Sequence, residues 1–153
     1  MDEYLISDRG LPWMNMLDEL FAKYPDAAGL TFFVKVHIIS PNLKSNRSQF
    51  KVGQYLNSTR PWSDRVKHVT MPDRLASGGI STHEFTPNVK AGFKSYWVRA
   101  DDAVIHHFRP CRKDWLKGHC TCSRCEQSLD DTVAKLFKKI EPDVLKLKAK
   151  LFD

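Results

Sequence analysis

Apolar residues recur along the first forty positions in two different rhythms. Tyr4-Leu5-Ile6 is a short unbroken run stopped by Ser7-Asp8-Arg9-Gly10, which predicts a brief buried strand ending in a turn. Trp13, Met16, Leu17, Leu20 and Phe21 then recur at helical spacing, from Pro12 (suited to a first helical turn) to the break at Tyr24-Pro25. That predicts a helix over 12–23. Leu30 to Ile39 is apolar and rich in β-branched residues, with Phe32, Val34, Val36 and Ile38 on one face, and predicts a strand.

Periodicity fades over 40–63, a polar stretch that predicts a long loop or a weak hairpin. It returns at Val66 to Met71, a strand ended by Pro72, and Ser77-Gly78-Gly79 reads as a turn. Tyr96 to Arg99 and Ala103 to Phe108 predict two strands around a tight turn at Asp101-Asp102. The remainder is helical. Ser128 with Asp131 suggests a capping box, and Leu129, Val133, Leu136, Phe137 and Ile140 form an apolar stripe. Pro142 should break or restart that helix, with Val144, Leu145, Leu147 and Leu151 on a second face. The mixture predicts an α/β or α+β domain: a mixed sheet whose central strands include 30–38 and 103–108, flanking helices at 12–23 and 129–140, and a helical tail.

Composition changes this picture little. The 153 residues suit one domain, and 42% hydrophobic with 27% charged content is ordinary for a globular protein. A net charge of +6 is compatible with nucleotide diphosphates, nucleic acid or a membrane surface and selects none of them. Much of the surplus is tail lysine (Lys135, Lys138, Lys139, Lys146, Lys148, Lys150), which reads as the solvated face of a helix. The residues after Met1 are acidic and no apolar run approaches bilayer length, so neither a signal peptide nor a membrane span is expected within the chain. Trp62, Trp97 and Trp115 are scattered rather than arrayed on a basic strand, and no nucleic-acid partner is expected. A Ser/His/Asp triad, a P-loop and a dinucleotide-binding glycine motif are likewise missing.

Three constellations carry candidate chemistry. Asp2-Glu3 sits just before the first strand, at a sheet end where a hard cation with oxygen ligands could bridge to phosphates. Alone it would be read as a frayed, solvated terminus. His106-His107 lies within a strand, so its imidazoles point to opposite faces and one can be buried while the other is exposed. Arg109 shares the face of His107, where a guanidinium beside a metal would suit a diphosphate; a packed histidine with a surface arginine is the bland alternative. The thiols Cys111, Cys120, Cys122 and Cys125 could form a zinc site, with or without His119, or two disulfides in an oxidising lumen. Only Cys122 and Cys125 make a C-x2-C, and the two readings stay open. Asn46 and Asn57 each head a glycosylation sequon in a polar stretch expected to be surface loop.

Taken in order, the pieces resemble the second half of the catalytic domain of glycosyltransferase family 92. The matching segments are Met1-Asp2-Glu3-Tyr4, Leu17 to Phe21 with Gly29 to Val36, Trp62-Ser-Asp-Arg65-Val-Lys67 running to Met71-Pro72-Asp73-Arg74, and His107-Phe108-Arg109. The resemblance implies a partial catalytic domain over 1–110 with a GT-A-like fold, and a cysteine-rich segment with a helical tail over 111–153. It implies inverting transfer of a hexose, galactose from UDP-galactose, to a glycan acceptor by a Golgi enzyme held in the membrane through an upstream anchor. Asp2 and His107 become metal-site candidates for Mn2+ or another divalent cation, and Glu3 and Arg109 candidates for the nucleotide-sugar phosphates. The pattern departs in places: the first Asp of the Asp-x-Asp element would precede Met1, Phe108 replaces Tyr, and Gly79-Ile80-Ser81 stands where Gly-x-His is expected, with His83 late. No motif assigns the general base, although Glu84 and Asp64 are acidic. The expectation is a chain that transfers little sugar alone. A non-catalytic zinc-stabilised binding module around residues 111–125 is the alternative.

Overall fold

The computed structural model describes residues 3–39, 55–77, 88–110 and 128–152. The roles expected of Asp2, Asn46, Glu84, Gly79 to His83, His119 and the four cysteines fall on residues outside these ranges. The fold is mixed α/β, with a mixed sheet and a C-terminal helix. Its residues group into two units. One holds Glu3–Lys35 and Pro61–His107; the other holds Val36–Arg60 and Phe108–Asp153.

The first unit begins with β1 (Glu3–Ser7) and α1 (Trp13–Lys23). Met16 and Leu20, one helical turn apart, are the buried positions of α1, whereas Trp13 and Met14 remain exposed. Pro12 is the N-cap residue and its carbonyl accepts from Met16 N–H at 3.0 Å. Pro25 ends the helix, because a residue before proline is excluded from helical backbone, and Tyr24 accordingly sits at φ −125° and ψ 72°. Lys23 Nζ then ties the helix end to Asp102 Oδ2 at 2.6 Å, a hydrogen bond that raises the lysine pKa.

β2 (Ala27–Ile39) is a 13-residue strand. It pairs antiparallel with β4 (Trp62–Thr70) and parallel with β7 (Lys94–Val98). β8 (Ala103–Pro110) lies between β1 and β2, giving the order β1-β8-β2-β4. The strands at 30–38 and 103–108 are therefore central. The expected hairpin between 96–99 and 103–108 is corrected: β7 joins the sheet through β2, and β1 takes the edge of β8. Tight-turn residues at Asp101-Asp102 fixed a reversal but not which strands would hydrogen-bond across it.

The partner register of β2 and β4 slips between Phe32↔Lys67 and Val34↔Trp62, leaving extra β4 residues in a bulge. Arg65 lies in that bulge at φ 57°, a left-handed backbone conformation that non-glycine residues rarely adopt. Beyond β4, a 3-10 turn (Pro72–Arg74) leads to β5 (Leu75–Ser77), which pairs with β6 (Asn88–Val89). Arg74 Nη1 donates to the carbonyls of Pro25 and Ala27 at 3.0 and 2.7 Å, pinning the turn to the start of β2. Tyr24 stacks on Tyr96, whose hydroxyl donates to Asp26 Oδ1 at 2.7 Å.

In the second unit, β3 (Asn57–Ser58) pairs with β9 (Ser128–Leu129), and Thr59 closes on the end of β2. Val36 N–H donates to Thr59 Oγ1, and Thr59 N–H donates to the Val36 carbonyl, both at 3.0 Å. α2 (Thr132–Phe152) follows as one continuous 21-residue helix through Pro142, where a break was expected. The capping box is corrected too: Ser128 belongs to β9, and Asp130 Oδ1 accepts from Thr132 N–H at 3.3 Å. Leu129 is 74% exposed rather than part of the buried stripe.

Candidate functional site

Glu3 and His107 stand directly opposite each other on β1 and β8. Their register is set by the apolar pairs that follow, Leu5↔Ile105 and Ile6↔Val104, because a slip by one residue would turn buried side chains outward. Glu3 Oε1 lies 3.1 Å from His107 Nδ1, and Glu3 Oε2 lies 3.0 Å from Lys67 Nζ. One carboxylate thus bridges an imidazole and an ammonium. His107 is buried while Glu3 and Lys67 are partly exposed, so the group sits at a margin where charge is only partly screened.

The hydrogen bond has a chemical consequence. A neutral imidazole that donates from Nδ1 carries its lone pair on Nε2, the tautomer that binds metal or accepts a proton at that atom. Carboxylates behind ligating histidines hold the ring in this way.

Among the sequence-predicted residues, the structure brings Glu3 and His107 together. Arg109 is half-buried two positions further along β8. Asp64 is exposed in the β4 bulge region. Asn57 is exposed, but in strand β3 rather than a loop, and the Ser58 and Thr59 of its sequon are buried. His106 and His107 point to opposite faces of β8, and neither is exposed. Both are buried, because β8 is flanked by strands on each side and covered on both faces.

Lys67 had been noted as part of a motif but not as the partner of Glu3; no local pattern links positions so distant in sequence. The second unit holds a further set that sequence reasoning missed. His37 is completely buried and stacks on Phe108, with centroids 4.3 Å apart and planes at 12°. Asp130, also buried, accepts from Ser58 Oγ at 2.8 Å. Donor atoms of His37 and Asp130 lie within 4.8 Å of each other, close enough for both to bind one ion. The available signals were a histidine inside an apolar strand and an Asp before a helix, and each is common without a ligand.

Comparison of the chain with family models, with curated proteins and with solved structures found no match.

Proposed function

We propose that this chain is a partial glycosyltransferase of the family 92 kind. On this reading it carries part of a GT-A-like fold and serves inverting transfer of a hexose, galactose from UDP-galactose, to a glycan acceptor in the Golgi. One observation carries the proposal. Three of the segments on which the resemblance rests, those containing Glu3, Lys67 and His107, meet through the side chains of those three residues.

The residues suit a divalent cation. His107 Nδ1 lies 3.1 Å from the Glu3 carboxylate, and an acidic residue, Asp2, directly precedes Glu3 in sequence. His107 and Asp2 would hold Mn2+ or a similar ion, whose chemistry when bound is to neutralise a nucleotide diphosphate leaving group. Glu3 orients the ring of His107, and Lys67 holds Glu3. Arg109, on the same strand as His107, would serve a phosphate oxygen.

Manganese titration of isotopically labelled protein tests the reading. Paramagnetic broadening should centre on His107 and Glu3, deepen when UDP is added, and vanish in His107→Ala. Broadening confined to other residues, or no change with UDP at any concentration used, would overturn it. Manganese-dependent UDP release from UDP-galactose, lost in Asp2→Ala, would show that the chain also completes the transfer.

A further inference from the structure

The apolar residues of α2 continue past the part of the helix that is buried. Val133 is fully buried and Phe137 is half-buried. Ile140 and Val144 are each 39% exposed, Leu147 57% and Leu151 66%. The six positions are separated alternately by four and three residues, which is the a/d repeat of a coiled coil. Val133, Ile140 and Leu147 take d; Phe137, Val144 and Leu151 take a. A helix whose seam begins inside its own unit and runs on into solvent presents half a coiled coil.

The charges beside the exposed seam identify what covers it. Glu141 and Lys148 occupy e positions, and Asp143 and Lys150 occupy g positions. In an antiparallel pair e faces e and g faces g. Aligning Val144 with Leu147 of a second copy, and Ile140 with Leu151, sets Glu141 against Lys148 and Asp143 against Lys150, each twice by symmetry. All four contacts join opposite signs. A parallel pair would join only Asp143 with Lys148, leaving Lys150 unmatched. Pro142 occupies f, the outermost position, so its missing N–H and its ring face away from the seam. Lys138, Lys139 and Lys146 occupy b and c, also outward.

We infer that the exposed half of α2, Ile140 to Leu151, is a self-association surface that binds the same segment of a second copy in antiparallel orientation. This goes beyond the sugar-transfer reading and does not depend on it. The overlap is about two heptads, below the area of a standard stable interface, so the dimer is weak and concentration-dependent. An anionic membrane is the competing occupant, since lysines flank an apolar face. Glu141 and Asp143 lie directly beside that face, where such a surface would repel them.

Sedimentation equilibrium of the whole chain under reducing conditions tests the inference. The wild type should show a monomer–dimer equilibrium, and Leu147→Asp should be monomeric with unchanged circular dichroism. Asp143→Lys replaces two attractions by two repulsions and should weaken association about tenfold. Adding Lys150→Asp to that variant should restore it, because the exchanged charges meet again only in the antiparallel pair. Restoration by Lys148→Asp instead would overturn the orientation. A wild type that stays monomeric to about 1 mM, or that binds phosphatidylserine vesicles as a monomer, would overturn the surface itself.

Discussion

Glu3 shows how much one side chain can arrange. It binds two nitrogen bases at once, and each would lose something different on its removal. Glu3→Gln leaves the ammonium of Lys67, partly withdrawn from water, facing a neutral amide. The expected cost is about 1–2 kcal/mol in urea unfolding, with the Lys67→Met/Glu3→Gln pair recovering part of it. A loss no larger in Glu3→Gln than in an exposed substitution such as Asp18→Asn would show that the bridge is not formed in solution. Asp26 offers a second test. The hydrogen bond from the Tyr96 hydroxyl, followed by the interaction with Lys94, holds its carboxyl below the usual value of 3.8. Its folded pKa is depressed, so its contribution is present above pH 3.8 and is lost as pH falls through the lower folded value. Tyr96 is shifted the other way, above 10.0, by its bond to Asp26, so that stabilisation is lost as alkaline pH passes the raised value. In Tyr96→Phe the acid-side loss should shrink, measured as thermal midpoint against pH between about 2.5 and 5.

Elements were legible where their pattern was local, and blurred where a partner decided. The helix at 12–23 and the strands at 30–38 and 103–108 stand where apolar spacing put them, because each buries a face that its own sequence specifies. β4 begins earlier than its apolar core suggested, at Trp62, since sheet pairing through the bulge extends it over polar residues. The capping box expected from Ser128 to Asp131 is not what forms: Ser128 lies in β9, and Asp130, held by Ser58 on another strand, accepts from Thr132 N–H instead. Asp130→Ala should therefore cost more than an ordinary N-cap loss of about 1 kcal/mol, because Ser58 Oγ loses its acceptor in a buried site. Urea unfolding of Asp130→Ala and Ser58→Ala checks this, and the double variant should cost less than their sum. Pro142 was expected to break or restart the helix, and the helix runs through it without interruption. Pro142→Ala should raise stability by about 1–3 kcal/mol, read from helix content and urea midpoint.

At the scale of the whole molecule, the sheet is assembled from residues far apart in sequence, and the candidate site inherits that property. The acidic residue at the chain start and the late histidine could each be singled out by type. Their meeting could not be read, since pairing of β1 with β8 is a choice among several possible neighbours. Lys67 was invisible as a partner for the same reason. Removing residues 1–7 should leave the outer side of β8 with unpaired backbone groups and promote aggregation, detected by light scattering at concentrations where the intact chain stays clear.

That same pairing imposes an order on biosynthesis. Synthesis runs from the N- to the C-terminus, so β1 leaves the ribosome about a hundred residues before its partner β8. At roughly 5–20 residues per second, the opening strand waits several seconds in an unpaired state. Leu5 and Ile6 lack their strand partners for that interval, and Glu3, Ser7 and Asp8 are the polar residues that bracket them. The Glu3–His107 bridge is then among the last contacts to close, so the candidate site comes into being only when nearly every other strand is in place.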